Sequence, residues 1–255
     1  FNINNLLESD YMFGELSISD QSKVENPGDF DTEISEKLLE EFENYAKELG
    51  FNGISYSNIN FRIKDKFPKE SKNIILLRCK IDSSFLRLKT EFYEKEGLIN
   101  EFNEKISQVY KLSDFLRENN FLAEIVDPIE FEEEIKKCAE DSKTGIIGRS
   151  KAVIFEEGPA PKIFAIATSI SNLPKIRGKG LNWVIEYCMT CGKCNRHCPE
   201  NAFDHKGNLI EDKCIGFHEK CEICIERCPF FDKDYDLIKS KYDKKLEKMS
   251  HGSIF

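Results

Sequence analysis

The sequence predicts an α/β domain followed by a small cysteine-rich module. Up to about residue 180, stretches with helical periodicity alternate with strand-like apolar runs, which is the order expected of helices packed on a sheet. After that point, eight of the ten cysteines fall between Cys188 and Cys228. The 255 residues are enough for one elaborated domain, or for one domain with such a module attached.

The α/β part begins with a predicted helix and two predicted strands. The stretch Asp31 to Leu49 has apolar residues three and four positions apart, so we expect a helix that ends at Gly50. These apolar residues are Ile34, Leu38, Phe42, Tyr45 and Leu49. Residues 51–57 are predicted to form a strand, and the largely apolar run at 73–81 is typical of a strand buried on both faces.

Two more helices and three more strands complete this part. A second amphipathic helix is predicted over 101–118, where Asn119 and Asn120 end it. The elements predicted after it are a strand at 121–126, an acidic helix from Ile129 to Ala139, and strands at 151–155 and 162–170. Helices and strands in this order predict an α/β sandwich.

A glycine-containing loop, Thr-Gly-Ile-Ile-Gly-Arg-Ser at 144–150, separates the acidic helix from the last two strands. Gly145 and Gly148 would let the loop backbone approach a flat or anionic ligand, and a purely structural turn is the alternative. The loop matches neither the Walker A pattern nor the dinucleotide-binding fingerprint.

Charge and hydropathy exclude several classes of function. The net charge is −9, and residues 1–50 carry 13 acidic and 3 basic side chains, which argues against nucleic-acid binding by that segment. Within this segment, residues 1–30 are expected to form an acidic extension, and the remaining acidic residues are expected to lie on the solvent-exposed face of a helix. The longest aliphatic run is Ile74 to Leu77, far below the roughly 20 residues of a membrane-spanning helix.

Two cysteine groups carry the chemistry. The first group has cysteines separated by two, two and three residues and followed by Pro199, which is the bacterial ferredoxin spacing for a 4Fe-4S cluster. It comprises Cys188, Cys191, Cys194 and Cys198. The second group comprises Cys214, Cys221, Cys224 and Cys228, again followed by proline. Gly192 would let the backbone come close to a cluster.

The two groups are expected to exchange their last cysteines. In two-cluster ferredoxins the cysteine before proline binds the other cluster. We therefore predict one 4Fe-4S cluster on Cys188, Cys191, Cys194 and Cys228, and a second on Cys214, Cys221, Cys224 and Cys198. Disulfides and zinc sites are the alternatives, but a long cysteine-poor segment precedes the groups and the Cys-Pro endings are unusual for zinc. Cys79 and Cys138 are expected to be buried small apolar residues.

The order of three motifs resembles the epoxyqueuosine reductase family. That family shares a corrinoid-binding domain and a double 4Fe-4S cluster domain with the respiratory reductive dehalogenases. The motifs are Gly-Ile-Ile-Gly-Arg-Ser at 145–150, Gly-Pro-Ala-Pro-Lys-Ile-Phe-Ala-Ile-Ala-Thr-Ser at 158–169, and the first cysteine group. The resemblance extends from about Gly50 to Phe231.

The resemblance implies a fold and a domain order. We expect a nitroreductase-like α/β sandwich followed by a ferredoxin-like double 4Fe-4S cluster module. The corrinoid-binding-like domain would span 31–180, the cluster domain 181–232 and a tail 233–255. Cobalamin or another corrinoid would contact Gly145, Gly148, Arg149 and Ser150. Asp127 would donate a proton in catalysis, and the alternative is that it caps a helix before Pro128.

These features lead to three functional hypotheses. The first is a reductase in which two 4Fe-4S clusters feed electrons to a corrinoid that reduces a small organic substrate. The second is a non-catalytic electron-transfer protein that reduces a partner's cofactor, and the third is a flavin-dependent reductase. A ferredoxin or flavodoxin is the expected electron donor. Only 27 residues follow Cys228, so the tRNA-binding repeats of the family are not expected. The chain begins at Phe1 rather than Met, and a cytoplasmic location is expected.

Overall fold

Strands and helices alternate along the first two thirds of the chain. A computed structural model describes residues 21–59, 64–79, 92–128, 130–159, 162–175, 181–215, 221 and 223–251. The first 20 residues of the predicted acidic extension, residues 80–81 of the second predicted strand and Ile129 of the acidic helix lie outside the described residues. Among the described residues, no helix is both long and apolar enough to span a membrane.

A four-stranded antiparallel sheet forms the centre of the α/β part. Its strands are β1 (Gly53–Asn58), β2 (Asn73–Cys79), β3 (Ala123–Val126) and β7 (Lys162–Thr168). They lie in the order β1-β2-β7-β3, and each neighbouring pair is antiparallel. Every residue of β2 is buried, because this strand has a neighbour on both sides and packed layers on both faces. The prediction of a strand buried on both faces is confirmed.

Two long helices cover one face of this sheet. They are α1 (Glu36–Glu48) and α2 (Phe92–Glu118). Ser35 begins α1 by accepting a hydrogen bond from the Leu38 N–H, and Gly50, with a φ of 85°, lets the chain turn after the helix. Phe42 and Leu112, both fully buried, pack with Ile75 of β2 in the core of this face.

A shorter helix and a small second sheet cover the other face. The helix is α3 (Glu132–Asp141). The small sheet is antiparallel and contains β4 (Ile146–Ile147), β5 (Val153–Phe155) and β6 (Gly158–Pro159) in that order. Ile135 and Cys138 of α3 pack with Leu76 of β2 and with Phe155 of β5. Cys79 and Cys138 are both buried, as predicted.

Strand β5 joins the α/β part to the cysteine-rich part. Val153 and Phe155 point into the core shared with α3, whereas Ile154 lies in a second apolar cluster with Leu181 and Phe230. This is the alternation that a strand imposes on successive side chains. One three-residue strand therefore contacts both parts of the chain.

The cysteine-rich part is made of short helices. These are α4 (Asn182–Cys191), α5 (Lys193–Arg196), α6 (Ile223–Glu226), α7 (Pro229–Asp232) and the longer α8 (Tyr235–His251). A short 3₁₀ turn, Glu211–Lys213, precedes Cys214.

The mixed α/β architecture agrees with the sequence prediction, although most element boundaries shift by a few residues and three elements differ in a way that has a local cause. Helix α2 begins at Phe92, although Gly97 interrupts the apolar pattern there. Helix α3 begins at Glu132, and before it the Phe131 N–H donates to the Asp127 carbonyl at 3.0 Å. Residues 146–155, predicted to be a loop and a strand, form the β4–β5 hairpin, with Lys151 at a φ of 63° in its turn.

The segment from residue 21 to residue 31 is attached to the α/β part. The Asp114 carboxylate on α2 accepts hydrogen bonds from the backbone N–H groups of Lys23 and Val24 at 3.1 Å. Arg117 donates to the Val24 carbonyl at 2.8 Å. The described end of the predicted acidic extension therefore packs against α2.

Candidate metal centre

The first cysteine group is positioned by a break between two helices. Cys188 and Cys191 lie in the last turn of α4, and Cys194 lies in α5. Between them Gly192 adopts a left-handed conformation, with a φ of 57° and a ψ of 17°. Such a conformation favours glycine, because a Cβ atom is disfavoured there. The reversal at Gly192 lets three cysteines that are close in sequence face a common region.

The second cysteine group is also positioned by short helical elements and the breaks between them. Cys214 ends the 3₁₀ turn, Cys224 lies in α6, and Cys228 is the residue that caps α7 at its N-terminus. Pro229 occupies the first turn of α7, where a missing N–H costs no helical hydrogen bond. The proline therefore starts a new helix and turns the chain away immediately after Cys228.

Cys228 lies beside the first group, although it belongs to the second group in sequence. Burial raises the pKa of the Cys228 thiol to about 12. Repulsion between the Cys228 thiolate and the thiolate forms of three neighbouring cysteines acts in the same direction, and these are Cys188, Cys191 and Cys194. Cys188 and Cys228 also pack against the same apolar cluster. This is the neighbourhood that the predicted exchange of last cysteines requires.

The remaining cysteines are only partly brought together. Burial raises the pKa of Cys224 to about 12, and repulsion from Cys194, Cys214 and Cys221 adds to it. Cys198 accepts a hydrogen bond at 3.3 Å from the backbone N–H of Ala202. The assignment of Cys198 to the second cluster stays a prediction.

No single-ion site is preformed in the part of the chain that the structure describes. There, no three His, Cys, Asp or Glu side chains converge so that they could hold one metal ion. A 4Fe-4S cluster does not require that convergence, because its four cysteines are distributed over four irons.

An apolar and aromatic layer lies next to the first cysteine group. The buried side chains of Ile154, Leu181 and Val184 form its base. Five aromatic rings belong to the same layer, and the centroids of contacting rings are 5.2 to 6.1 Å apart. These rings are Trp183, Tyr187, Phe230, Tyr235 and Tyr242. The Trp183 indole N–H donates to the Tyr235 hydroxyl at 2.7 Å. This layer keeps water away from one side of the cysteine group.

Arg149 reaches from the β4–β5 hairpin to the first cysteine group. Its guanidinium donates to the Lys206 carbonyl at 3.1 Å and to the Met189 sulfur at 3.4 Å. Burial raises the pKa of the Cys188 thiol to about 11, and a hydrogen bond from the Arg149 backbone N–H opposes this rise. In the structure this residue, predicted to contact a corrinoid, contacts the cysteine-rich part.

The two glycines of the predicted ligand loop pack against the chain's own side chains. A Cβ atom at Gly145 would lie 2.7 Å from Val153 Cγ1 and 2.8 Å from Phe155 Cε1. A Cβ atom at Gly148 would lie 2.9 Å from Ile154 Cδ1. Both glycines are thus explained by close packing on β5. Ser150, the fourth predicted contact, is half-buried in the hairpin turn.

Adding a methyl group at Gly145 should therefore destabilise the fold. We expect Gly145→Ala to lower the free energy of unfolding by about 1 to 3 kcal/mol, the usual cost of overpacking a core. Urea unfolding measures this loss. Gly28→Ala is the matched control, because no atom lies within 4 Å of a Cβ built there. Equal stability of the two variants would contradict the packing explanation.

Asp127 lies in the turn between β3 and α3. Its carboxylate accepts a hydrogen bond from the Glu130 backbone N–H at 3.1 Å, and its carbonyl accepts one from the Phe131 N–H at 3.0 Å. Helix capping was predicted as the alternative to a catalytic role. The Asp127 carboxylate does accept a backbone hydrogen bond, but this bond stabilises the turn before α3 and not the helix itself. The proton-donor role stays a prediction.

The sequence reasoning missed two contacts of the first cysteine group. One is Arg149, whose hairpin brings it across to Cys188. The other is Tyr187, which lies close to Cys191. Tyr187 is one helical turn before Cys191, so the spacing of four residues was the available signal.

Comparisons with known proteins identify the fold. The sequence matches no protein-family profile. The tetrachloroethene reductive dehalogenase of Sulfurospirillum multivorans is 28% identical over a segment covering 36% of this chain and 22% of that protein. The matched segments span between 11% and 22% of the length of the curated relatives.

Two solved structures are similar over most of the chain. The epoxyqueuosine reductase of Bacillus subtilis has a TM-score of 0.55 and 17% identity, covering 78% of this chain and 66% of that one. A reductive dehalogenase described in terms of B12-dependent dehalogenation has a TM-score of 0.63 and 14% identity, covering 86% of this chain and 36% of that one. The chain therefore shares its fold with the epoxyqueuosine reductases and reductive dehalogenases, as its three sequence motifs predict.

Proposed function

We propose that this chain is an iron-sulfur oxidoreductase that holds two 4Fe-4S clusters. The observation that carries the proposal is the position of Cys228 beside the first cysteine group. One cluster would be held by Cys188, Cys191, Cys194 and Cys228, and the other by Cys214, Cys221, Cys224 and Cys198. When bound, such clusters supply one-electron transfer. The fold shared with two groups of reductases supports the same class of function.

The chain's own residues would bind and shield the first cluster. The four thiols provide the ligands, and the reversal at Gly192 sets their spacing. The apolar layer excludes water on one side, which lowers the local dielectric and strengthens each hydrogen bond to sulfur. The Arg149 backbone N–H, beside Cys188, would be one such donor.

The electron acceptor is the second part of the proposal. The structurally similar reductive dehalogenase is described as B12-dependent, which supports a corrinoid acceptor and a small organic substrate for this chain. The predicted loop does not fit a corrin ring at Gly145 or Gly148, because side chains of β5 fill the space beside both glycines. The corrinoid is thus an expectation drawn from the family likeness alone. A nitroreductase-like core, a ferredoxin-like module and a ferredoxin or flavodoxin donor belong to the same proposal.

A second candidate function is electron transfer to the cofactor of a partner protein. The filled space at Gly145 and Gly148 favours it, because this alternative needs no cofactor in that loop. A flavin in place of the corrinoid is the third candidate.

Anaerobic purification of the full chain separates these candidates. The sample would be analysed for iron, cobalt and flavin, and then titrated with cobalamin while the optical spectrum is recorded. Two clusters together with stoichiometric cobalamin binding would support the corrinoid reductase. Two clusters with no cobalamin binding at micromolar concentration would support electron transfer to a partner, and bound flavin would support the third candidate. A protein without iron would contradict all three.

Substitution of Asp127 tests its capping role. Asp127→Ala should lower the free energy of unfolding by about 0.5 to 1.5 kcal/mol, the net value of one hydrogen bond, because the Glu130 N–H loses its acceptor. Asp127→Asn keeps an acceptor oxygen and should lose less, while it removes the acidic proton. Urea unfolding measures both variants. If Asp127→Ala is as stable as the parent chain, the capping role is wrong.

A further inference from the structure

Gly158 begins strand β6 and faces the cysteine-rich part of the chain. It is buried and has a φ of 129°, a conformation that residues with a side chain rarely adopt. A Cβ atom built on it would lie 3.1 Å from the backbone carbonyl oxygen of Phe230 in α7. Because that oxygen belongs to the backbone, it cannot rotate away as the end of a side chain can. Glycine at this position therefore allows β6 and α7 to approach each other closely.

The contact with α7 lies two residues from Cys228. Cys228 caps α7 at its N-terminus, and its carbonyl accepts a hydrogen bond at 3.0 Å from the Phe231 N–H. The Phe230 side chain is buried in the same apolar cluster as Cys228. A helix of four residues has little length over which to absorb a displacement. A shift of the Phe230 carbonyl would therefore be passed on to the Cys228 thiol.

The turn before Gly158 is fixed to the central sheet. Gly158 pairs with Phe155 across the β5–β6 hairpin, and Glu157 lies between these two residues in sequence. The Glu157 carboxylate forms an ion pair with the Arg78 guanidinium of β2 at 3.5 Å. Arg78 is itself buried and donates to the Ser55 hydroxyl of β1 at 2.7 Å. The α/β part thus holds Gly158 in place, and α7 packs against it.

We infer that Gly158 is a positioning residue that sets the place of Cys228, the ligand that the first cluster takes from the second cysteine group. The inference rests on the proposed function, because it requires that this cluster exists. It also gives a role to the motif at 158–169, whose first residue is Gly158. A side chain at this position would displace α7 and weaken the bond between Cys228 and iron. Loss of groups that orient metal ligands typically lowers metal affinity by about 10- to 100-fold.

The test measures the release of iron from Gly158→Ala in the full chain after anaerobic cluster reconstitution. A chelator captures the iron, and the rate is recorded on the folded fraction isolated by gel filtration. We expect about four of about eight irons per chain to leave roughly tenfold faster than in the parent chain, while the remaining irons leave at the parental rate. Gly145→Ala is the matched control, because it adds the same methyl group against Val153 and Phe155 in the α/β core. It should not accelerate one half of the iron over the other.

Two single-cluster backgrounds identify the affected cluster. Cys198→Ala is expected to keep only the cluster that uses Cys228, so adding Gly158→Ala should accelerate the release of all its iron. Cys228→Ala is expected to keep only the other cluster, and adding Gly158→Ala there should leave the rate unchanged.

Three outcomes would overturn the inference. One is an unchanged rate in Gly158→Ala, and another is an equal acceleration for all the iron, which would indicate a loss of overall stability. The third is a Gly158→Ala chain that does not fold, which would show that this glycine serves the fold as a whole. A parent chain that holds no iron would overturn the proposed function itself. Iron analysis of the parent chain therefore distinguishes the two failures.

Discussion

Replacing Cys228 with alanine is expected to remove the cluster assigned to Cys188, Cys191 and Cys194. The iron content should fall from about eight to about four atoms per chain, since each cluster contains four irons. The physical reason is that Cys228 completes the first set of ligands, beside which it lies, although it belongs to the second group in sequence. Iron analysis and electron paramagnetic resonance measure the loss.

Two further variants make this experiment specific. Cys198→Ala should remove the other cluster, the one assigned to Cys214, Cys221 and Cys224. Cys138→Ala is the control, because this fully buried cysteine packs in the α/β core and not in the cysteine-rich part. It should keep the full iron content. If Cys228→Ala loses the second cluster and keeps the first, the assigned pairing is wrong.

Replacing Phe155 with alanine should cause the largest loss of stability. We expect the free energy of unfolding to fall by about 3 to 5 kcal/mol, the usual cost of truncating a buried phenylalanine. Phe155 is fully buried, closes the space beside Gly145, and has the Arg78 guanidinium 4.9 Å from its ring centroid. A loss of this size is a large fraction of the stability of a typical domain, which is about 5 to 15 kcal/mol.

The Phe155 prediction is checked by urea unfolding followed by circular dichroism. Phe155→Leu is the control, since it keeps a large apolar side chain and should lose less than Phe155→Ala. A loss of unfolding free energy below about 1 kcal/mol in Phe155→Ala would contradict the prediction. It would show that the core tolerates the cavity at a much lower cost than is usual for such truncations. It would also contradict the role of β5 as the strand that joins the two parts of the chain.

The helices and strands with a clear apolar periodicity were predictable from the sequence. The apolar run of β2 predicts a strand buried on both faces, and the helical spacing of Ile34, Leu38 and Phe42 predicts α1. The hairpin at 146–155 was not predictable in the same way. Strands of two and three residues are too short to establish a period of two, and the turn depends on Lys151 adopting a positive φ.

The candidate site was predictable where chemistry fixes the spacing. The cysteine intervals and the two Cys-Pro endings predict both groups. The pairing of ligands between the groups stays a prediction, which the proximity of Cys228 to the first group supports. The role of Gly145 was open, because a glycine that packs on Phe155 and one that faces a ligand look alike in sequence. Arg149 reaches the cysteines only through the hairpin, so no local pattern indicates it.

The central claim of two 4Fe-4S clusters is tested most directly by quantifying metal and acid-labile sulfide in the anaerobically purified chain. About eight irons and about eight sulfides per chain are expected, together with an electron paramagnetic resonance signal from two reduced clusters. Stoichiometric zinc without sulfide, or about four irons per chain after full reconstitution, would contradict the claim.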